Sequence, residues 1–583
     1  MKISRRKFIA AAGALPLAVR CGGGSQRPNI LLIMTDDQGW GDVGSHANPH
    51  LETPNLDRLA AAGARFERFY VDPVCAPTRA SLLTGRYAAR TGVHGVTRGR
   101  ETMRRDEVTL AQILSGAGYA TGCFGKWHNG AHYPYDPLGV GFDRFLGFCA
   151  GHWNNYFDTR LQRDDRMVRT EGYITDVLTD EALDFIETHA ARPFFCYVPY
   201  NAPHSPWQVP DRYFEKYKAA GLDDVTACAY GMCENLDDNI GRLLEQLETL
   251  GLSSKTVVLF LTDNGPNSDR YNGDMRGRKG STHEGGVRVP LFVRWPGQIA
   301  AGKRIDQISA HIDLVPTLLD LCRIPLPAGP VLDGISLAPL LRGETDVLPE
   351  RSIYTFWSGR GAVRTSKFRL VVERSGEVQL YDMEDDPEQR NDLADLQPSL
   401  ARELESQYRH WLEKVTARGF DPVPIPIGHR KRPEAVLPGH EALLVRDHGE
   451  GISYVGANGW ANDWITNWTR TAAYAYWPVE IVEPGRFRFT LMYACPPGDV
   501  GAGVALEVAG GRLEGRIGRA HDPAFIPSPD RVPRKEVYEK VWASLPLGEL
   551  ELSAGASRLA IRALSIPGHR AFELKAVRVL RID

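Results

Sequence analysis

The stretch Asn29-Ile-Leu-Leu-Ile-Met-Thr35 is a continuous apolar run that ends in two acidic residues, Asp36-Asp37. Such a run of aliphatic and β-branched residues is typical of a parallel strand that is buried on both faces. Residues 256–262, which precede Asp263-Asn264-Gly265, show the same pattern, and residues 194–199 show it more weakly. Because helical periodicity separates these runs, the sequence predicts an α/β fold with a doubly wound, mixed or mostly parallel sheet.

Composition changes along the chain and predicts further domains. The α/β domain is expected to cover residues 28–345. Residues 346–420 contain short alternating runs and then a helical pattern, which indicates a small antiparallel sheet with one helix. Residues 421–440 are rich in proline and predict a linker. Residues 441–583 contain short strands between Gly and Pro turns, which favours an additional all-β sandwich as an accessory domain.

The N-terminus has the order of an export signal. Arg5-Arg6 precede a short apolar stretch and the Gly-rich segment that begins at Cys21. Residues 1–21 resemble a twin-arginine signal, so we expect export to the periplasm or secretion. Cys21 stands where a lipidated cysteine would stand, but Arg20 occupies a position at which a small residue is usual. Contact with a membrane therefore depends on whether Cys21 is lipidated, which the sequence leaves open.

Charge and cysteine usage exclude several classes of function. The chain has 69 basic and 72 acidic residues and a formal net charge of −3. No sustained basic face with interleaved aromatic residues is evident, so nucleic acid is not expected as a partner. The cysteines form no CxxC pairs, which argues against a zinc ribbon or a disulfide scaffold.

Oxygen ligands follow the two strongest predicted strands. Asp36 and Asp37 follow the first of them, and Asp263 and Asn264 follow the strand at residues 256–262. Ligand sites in open α/β sheets lie at the carboxyl ends of strands, so the four side chains can converge. Hard oxygen ligands suit Ca²⁺ or Mg²⁺. Taken alone, either pair is better explained by a turn or a helix cap.

Cys75-Ala-Pro-Thr-Arg79 precedes a helical pattern and places a cysteine where the field of a helix would favour an anion. A lone cysteine is more often a buried thiol. With Leu83-Thr84-Gly85-Arg86 just after it, however, Cys75-x-Pro77-x-Arg79 resembles the sulfatase signature, in which the cysteine is oxidised to Cα-formylglycine.

Other motifs follow in the order of that family across residues 28–400. They are Pro28-Asn29, Gly125-Lys126-Trp127-His128, Ala202-Pro203-His204, Thr262-Asp263-Asn264-Gly265, Lys279-Gly-Ser-Thr-His-Glu-Gly-Gly286 and Leu380-Tyr-Asp-Met-Glu-Asp-Asp-Pro387. The chain is thus identified as a member of the formylglycine-dependent (type I), arylsulfatase-like sulfatases, which have the alkaline-phosphatase-like fold.

The resemblance implies hydrolysis of a sulfate ester with release of inorganic sulfate. It implies that modified Cys75 joins the four oxygen ligands around one Ca²⁺, with Mg²⁺ as an alternative. The hydrated aldehyde would then supply the nucleophile that attacks sulfur. Its maturation would require a formylglycine-generating enzyme as a partner.

The resemblance also implies roles for five further residues. Arg79 would hold the modified residue. Lys126 and Lys279 would neutralise the sulfate oxygens. His204 would protonate the leaving alcohol, and His128 would take a proton from the second hydroxyl on residue 75 to expel sulfate. Each histidine alone is equally well explained as a structural residue.

Several questions stay open at this level. A phosphonate or phosphate ester hydrolase of the same superfamily is an alternative, as is a sulfate-binding protein in which Cys75 is not matured. The substrate is expected to be a sulfated carbohydrate or an aryl sulfate. His132, His152 and Trp153 lie in a segment expected on the substrate side, without assigned roles. The last domain carries an aromatic cluster that could stack on sugars or fill its core: Trp460, Trp464, Trp468, Tyr474, Tyr476 and Trp477.

Overall fold

The computed structural model describes residues 27–326, 329–456 and 458–583. The predicted export signal at residues 1–21, with Cys21, lies outside these ranges. Among the helices that are described, none combines the length and the apolar character needed to cross a bilayer.

One large mixed sheet forms the centre of the molecule. Its 11 strands within the described ranges are β1 (Asn29–Thr35), β2 (Ala64–Tyr70), β3 (Ala120–Lys126), β4 (Arg144–Phe148), β5 (Arg160–Arg163), β6 (Arg166–Arg169), β7 (Phe194–Pro199), β8 (Thr256–Thr262), β9 (Arg288–Arg294), β10 (Lys303–Ile305) and β11 (Ser309–Ala310). The order is β10-β2-β9-β8-β1-β7-β3-β4-β5-β6, and β11 pairs with β2. β1 lies between β7 and β8 and is parallel to both. This arrangement confirms the predicted fold class.

Helices cover both faces of this sheet. The helices of the described chain are α1 (Pro54–Ala61), α2 (Cys75–Thr84), α3 (Ala88–Thr91), α4 (Leu110–Gly116), α5 (Ile174–Thr188), α6 (Asp211–Ala219), α7 (Asp224–Thr249), α8 (Glu284–Val287), α9 (Leu314–Leu321), α10 (Ala338–Arg342) and α11 (Pro398–Thr416). Short 3₁₀ turns occupy Gly44–His46, Ser253–Lys255, His311–Asp313, Gly439–Glu441 and Pro497–Asp499.

The alternation of side chains along β1 divides the core into two layers. Leu32 packs with residues of α2 and α9 on one face, whereas Leu31 and Ile33 pack with residues of α5 and α7 on the other. All three side chains are fully buried. Each such burial stabilises the fold by roughly 1.5–3 kcal/mol, which explains why residues 30–34 of β1 are all apolar.

A small antiparallel sheet with one helix follows, as the sequence predicts. Its strands are β12 (Ile353–Trp357), β13 (Arg360–Arg364), β14 (Phe368–Val372) and β15 (Val378–Asp382), in sequential order. α11 packs on this sheet, and Tyr408 of the helix lies so close to Gly361 that a Cβ there would stand 2.0 Å from the tyrosine ring. β13 is not apparent in the sequence because Gly361 and the flanking arginines break its alternation.

Among residues 421–456 and 458–583, two six-stranded sheets form the C-terminal sandwich. One contains β16 (Ile425–Ile427), β18 (Leu443–Val445), β21 (Tyr474–Ile481), β23 (Gly503–Val508), β24 (Gly511–Arg516) and β26 (Gly555–Ala563). The other contains β17 (Glu434–Pro438), β19 (Ser453–Tyr454), β20 (Ile465–Thr466), β22 (Gly485–Ala494), β25 (Ala543–Leu552) and β27 (Glu573–Arg581).

The prediction of a linker at residues 421–440 is wrong. β16 pairs with β21 and β17 pairs with β27, so this segment contributes one strand to each sheet of the sandwich. β16 stands at an edge of its sheet, where Pro426 can be accommodated although it cannot donate a ladder hydrogen bond. The sandwich therefore begins before residue 441.

The aromatic cluster of the last domain divides between core and surface. Trp468 and Trp477 belong to the sandwich core, and Trp464 is also buried. Trp460 differs, because 38% of its surface is exposed. The core-filling interpretation therefore holds for three of the tryptophans, and only Trp460 among the four is left to contact a ligand.

Candidate active site

The acidic residues meet at the carboxyl ends of β1 and β8. These strands are paired in register up to Thr35 and Thr262, so the residues that follow them lie side by side. Asp37 adopts a left-handed backbone conformation with φ of 67°, and its N–H donates a hydrogen bond of 3.2 Å to Oδ1 of Asp263. The sheet thereby turns two separate sequence motifs into one cluster.

Several oxygens of this cluster lack partners. Oδ1 of Asp36, Oδ2 of Asp37 and Oδ1 of Asn264 are buried and find no hydrogen-bond partner among the described residues. Ligand atoms of Asp36, Asp263 and Cys75 lie within 4.8 Å of one another. Buried, unpaired carboxylate and amide oxygens are costly unless a cation satisfies them. The residues present therefore fit a hard divalent cation.

The pKa values of the three carboxyl groups reflect crowding. Burial raises the pKa of Asp36, and it raises the pKa of Asp263 to about 6, with the neighbouring negative charge of Asp36 as a further cause. Burial acts in the same direction on Asp37, but Lys279, His204 and Asn264 together outweigh it and lower the pKa of Asp37. Without a cation, the cluster thus favours retention of a proton near Asp263 and Asp36.

Three cationic side chains surround the carboxylates. Arg79, on α2, is fully buried and donates to Oδ2 of Asp263 at 3.1 and 2.8 Å. Lys126, the last residue of β3, approaches Asp36 at 2.6 Å, and Lys279 approaches Asp37 at 2.6 Å. Each lysine therefore contacts a different carboxylate of the acidic cluster, and the two ammonium groups can also neutralise the charge of an anionic substrate.

Cys75 is the first residue of α2 and is 4% exposed. Val74 before it is extended, and the helix ends where Gly85 adopts a φ of 69°. The thiol thus lies at the positive end of a helix, next to the acidic cluster. It lines a cavity of about 700 Å³ together with His128, His204 and Lys279.

His128 has one ring nitrogen free to act as an acceptor. Its Nε2 lies 3.0 Å from the carbonyl oxygen of Val96, and because a carbonyl can only accept, Nε2 carries the proton. Nδ1 is buried without a hydrogen-bond partner in the described chain. Burial, and then the charge of Lys126, hold the pKa of His128 well below its ordinary value, so the ring is neutral.

His204 is held in the other tautomer. Its Nδ1 donates to the carbonyl oxygen of Ser205 at 2.6 Å, and its Nε2 lies 3.7 Å from Oδ2 of Asp37. Burial and then Lys279 lower the pKa of His204, whereas Asp37 and Glu536 act in the opposite direction. Nε2 therefore faces the cavity side of the acidic cluster.

The structure brings every residue predicted for the site into this one region. The three residues that were expected on the substrate side without assigned roles, His132, His152 and Trp153, differ in whether they line the cavity. His152 lines the cavity and stacks near-parallel on His204 with ring centroids 6.2 Å apart. Trp153 packs on Phe148 instead, and His132 is half-buried and does not line the cavity.

The sequence interpretation did not identify the contribution of the C-terminal sandwich to the site. Trp460 and residues 532–536 line the same cavity as Cys75. The sequence offers Trp460, with the rest of the aromatic cluster, either for stacking on sugars or for filling the sandwich core, but does not place it at the catalytic cavity. Glu536 carries no local pattern that marks it as a site residue, because its place at the cavity depends on how the sandwich packs on the α/β domain.

A doubly wound sheet with an acidic cluster that fits a divalent cation, a buried helix-terminal cysteine and flanking lysines defines a hydrolase of anionic esters. The family model described as Sulfatase matches residues 28–324, and the one described as "N-sulphoglucosamine sulphohydrolase, C-terminal" matches residues 278–417. The chain therefore belongs to the sulfatase family. It is a type I sulfatase of the alkaline phosphatase superfamily and hydrolyses sulfuric esters.

Curated relatives agree with this assignment. The chain is 36% identical to N-acetylgalactosamine-6-sulfatase of Mus musculus over 365 residues, which cover 56% of this chain and 69% of the relative. It is 35% identical to arylsulfatase A of Homo sapiens over 405 residues, which cover 62% and 78% of the two chains.

Solved structures share the fold. The structure described as "Ps i-CgsB in complex with k-i-k-neocarrahexaose" has a TM-score of 0.65 and 29% identity, and the match covers 68% of this chain and 95% of that one. A phosphonate monoester hydrolase of Agrobacterium radiobacter has a TM-score of 0.52 and 21% identity, with 67% and 96% covered. The latter likeness shows the fold alone.

Proposed function

We propose that the chain hydrolyses a sulfate ester of a carbohydrate through a formylglycine formed from Cys75, with one Ca²⁺ in the acidic cluster. The observation that carries this proposal is the grouping of Cys75 with Asp36 and Asp263 inside one buried cluster. A thiolate is a soft ligand and an unusual partner for a hard cation, whereas the hydrated aldehyde of formylglycine offers oxygen. Mg²⁺ is the alternative ion.

Asp36, Asp37, Asp263 and Asn264 would hold the cation with residue 75. When bound, Ca²⁺ would supply positive charge that lowers the pKa of a hydroxyl on residue 75. Arg79 keeps one carboxylate oxygen of Asp263 occupied, which orients the other oxygen and neutralises part of the cluster.

Lys126 and Lys279 bind the sulfate group in this proposal. Both ammonium groups contact carboxylates of the cluster, and Lys279 lines the same cavity as Cys75, so the two lysines would neutralise charge on the sulfate oxygens as the ester bond breaks. Their fixed positions mean that little reorganisation accompanies the reaction.

The two histidines move protons at different stages. His204 presents Nε2 to the cavity, from which it would protonate the leaving alcohol oxygen. His128 presents an unpartnered Nδ1, from which it would accept a proton from a hydroxyl on residue 75 as sulfate leaves. Their opposite tautomers, each imposed by a backbone carbonyl, support this division of roles.

A carbohydrate substrate is supported by the cavity and by the relatives. Trp207, Trp357 and Trp460 line a cavity of about 700 Å³, which is large enough for sugar rings. One relative is named N-acetylgalactosamine-6-sulfatase, and one structural neighbour was crystallised in complex with k-i-k-neocarrahexaose. Aryl sulfates would be turned over as smaller substrates.

Export remains a proposal that rests on residues 1–21. Arg5-Arg6, the apolar stretch and Cys21 support passage by a twin-arginine route to the periplasm or beyond. Lipidation of Cys21 would add a membrane anchor. N-terminal sequencing and mass spectrometry of the exported protein test both points.

Sulfate release tests the catalytic proposal. Protein produced with a formylglycine-generating enzyme should contain an aldehyde at position 75 and release sulfate from a panel of sulfated oligosaccharides. Cys75→Ala should fold and release none, whereas Cys233→Ala, which removes a buried thiol on α7, should remain active. Faster turnover of phosphonate or phosphate esters would favour the alternative hydrolase, and an active Cys75→Ala protein would refute the mechanism.

A further inference from the structure

Part of the wall of the catalytic cavity comes from the C-terminal sandwich, beyond the last residue that either family model matches. Trp460 lies in the connection between β19 and β20, and residues 532–536 lie in the connection between β24 and β25. The cavity that contains Cys75 is therefore composite. Chemistry resides on the α/β domain, and part of the surface that faces a substrate resides on the sandwich.

The connection between β24 and β25 is fixed to the α/β domain rather than loosely apposed. The N–H of Arg531 donates to the carbonyl oxygen of Trp207 at 2.8 Å, and the side chain of Gln208 donates to Asp530 at 2.7 Å. Arg534 donates to the carbonyl oxygen of Asn154 at 2.6 Å.

The guanidinium group of Arg534 is occupied by contacts within the protein. Its side chain is 1% exposed and also pairs with Asp530 at 2.7 Å. Its role is to hold the segment in place, and the residues next to it in the chain, Lys535 and Glu536, are thereby presented to the cavity at defined positions.

Glu536 combines an anchored oxygen with a free one. Its Oε1 accepts a hydrogen bond of 2.5 Å from the hydroxyl of Ser205, the residue that follows His204. Its Oε2 is buried and has no hydrogen-bond partner within the described residues. A buried carboxylate oxygen that lacks a donor is costly, so a ligand hydroxyl that donates to it would bind favourably.

Trp460 supplies a flat apolar surface at the same cavity. Its neighbour Asn462 donates to the carbonyl oxygen of His152 at 2.9 Å, which fixes this part of the sandwich against a residue that also lines the cavity. The carbonyl oxygen of Trp460 accepts from the N–H of Asp463 at 3.1 Å. The backbone that carries the exposed indole is thus held in place, and an exposed ring on a fixed backbone suits stacking on the apolar face of a sugar.

We propose that Glu536 and Trp460 form a subsite for the sugar that carries the sulfate, with Glu536 accepting a hydrogen bond from a sugar hydroxyl and Trp460 stacking on a ring. The inference rests on the proposed function, in which His204 protonates the leaving oxygen. Glu536, which accepts a hydrogen bond from Ser205 next to His204, then faces the sugar that leaves. An aryl sulfate lacks that hydroxyl and gains little from this subsite.

Kinetics of the full-length, aldehyde-containing enzyme test the subsite. The values of kcat/KM are measured for para-nitrophenyl sulfate and for an oligosaccharide that ends in N-acetylgalactosamine 6-sulfate. For Glu536→Gln, we expect the ratio of oligosaccharide to aryl sulfate kcat/KM to fall about ten-fold or more, because a lost hydroxyl contact is penalised only in the sugar substrate. For Trp460→Ala, we expect the same ratio to fall because the surface on which a sugar ring stacks is lost.

Two matched variants control for charge and exposure. Glu551→Gln removes a carboxylate on β25, and Val455→Ala shortens a side chain that is 42% exposed close to Trp460 in sequence. Neither residue lines the cavity, so both variants should keep the parent ratio.

The possible results separate the inference from the function on which it rests. An unchanged ratio in both Glu536→Gln and Trp460→Ala, or equal losses on both substrates, would overturn the subsite while leaving the sulfatase mechanism intact. A parent enzyme that hydrolyses only the aryl sulfate would also overturn it. A parent that releases sulfate from neither substrate would contradict the proposed function itself.

Discussion

Arg79 and Asp263 form a buried pair in which two guanidinium nitrogens donate to a single carboxylate oxygen, at 3.1 and 2.8 Å. The third guanidinium nitrogen, Nη1, donates to the carbonyl oxygen of Lys126 at 2.7 Å. One side chain on α2 therefore links the ends of β3 and β8 and compensates charge in the acidic cluster. Both partners are completely buried, so solvent cannot replace the interaction.

Replacement of this arginine should be severe. Arg79→Ala leaves the carboxylate of Asp263 without its guanidinium partner. We expect the free energy of unfolding to fall by about 3–5 kcal/mol, as for other broken buried pairs. Arg79→Lys should recover only part of this loss, because one ammonium cannot reproduce the planar fork. Denaturant unfolding of the calcium-loaded protein measures both effects.

An exposed pair provides the comparison. Arg409 pairs with Glu405 on α11, and its side chain is 64% exposed. Arg409→Ala should change the unfolding free energy by less than about 1 kcal/mol. Equal effects at positions 79 and 409 would contradict the importance assigned to the buried pair.

Calcium binding should weaken in acid. The pKa of Asp263 is about 6 without a cation, because burial and the charge of Asp36 disfavour its ionised form. Above that pH the carboxylate is free to bind, and below it a proton competes with the ion. We expect the Kd for calcium to rise by about ten-fold per pH unit below about pH 6 for each carboxyl group that takes up a proton.

Chelator competition between about pH 5 and about pH 8 measures this dependence. Asp263→Asn removes the titrating group, so this variant should bind calcium more weakly at high pH and with a shallower pH dependence. A parent protein whose calcium affinity is the same at both ends of the range would show that no buried carboxyl competes with the ion.

Loss of His204 should depend on the leaving group. A sugar alcohol is a poor leaving group and needs a proton, whereas nitrophenolate does not. His204→Ala should therefore lower kcat by about a hundred-fold or more on a sugar sulfate and far less on para-nitrophenyl sulfate.

His410, which is exposed on α11, offers a control. His410→Ala should retain parent rates on both substrates. Equal losses on both substrates for His204→Ala would indicate that this residue binds substrate and does not protonate the leaving oxygen.

Removal of residues 420–583 should damage more than substrate preference. The sandwich contacts the α/β domain through Glu441, which accepts from the N–H of Gly99 at 3.0 Å, and through Glu536 at Ser205. A chain that ends at residue 419 should lose activity on the aryl sulfate as well and unfold at a lower temperature.

Insertion of Gly-Ser at the β23–β24 turn, at Ala509 and Gly510, should be tolerated because that turn is exposed. Full aryl sulfatase activity in the truncated chain would show that the sandwich is a separable module.

The central elements could be predicted because local pattern and tertiary environment coincide there. β1 and β8 are buried on both faces, so their sequences are uninterrupted apolar runs and their bounds follow directly. β16 and β17 escaped prediction because short edge strands tolerate proline and charge, which locally indicate a linker. Site residues that lie within local motifs could also be predicted from the sequence. The position of Glu536 depends on how the two domains pack, and no pattern among its sequence neighbours indicates that packing.

The burial of Cys75 sets an order of events for the proposed maturation. In the folded chain, only 4% of the surface of Cys75 is exposed, and its backbone lies in the first turn of α2. A modifying enzyme therefore finds no extended peptide around Cys75 to bind. Oxidation therefore has to occur on a chain that has not yet folded. The fraction of molecules that is active then depends on the rate of aldehyde formation relative to the rate at which the α/β domain folds around residue 75. Conditions that slow folding would raise the specific activity of the preparation without altering a single contact in the finished molecule.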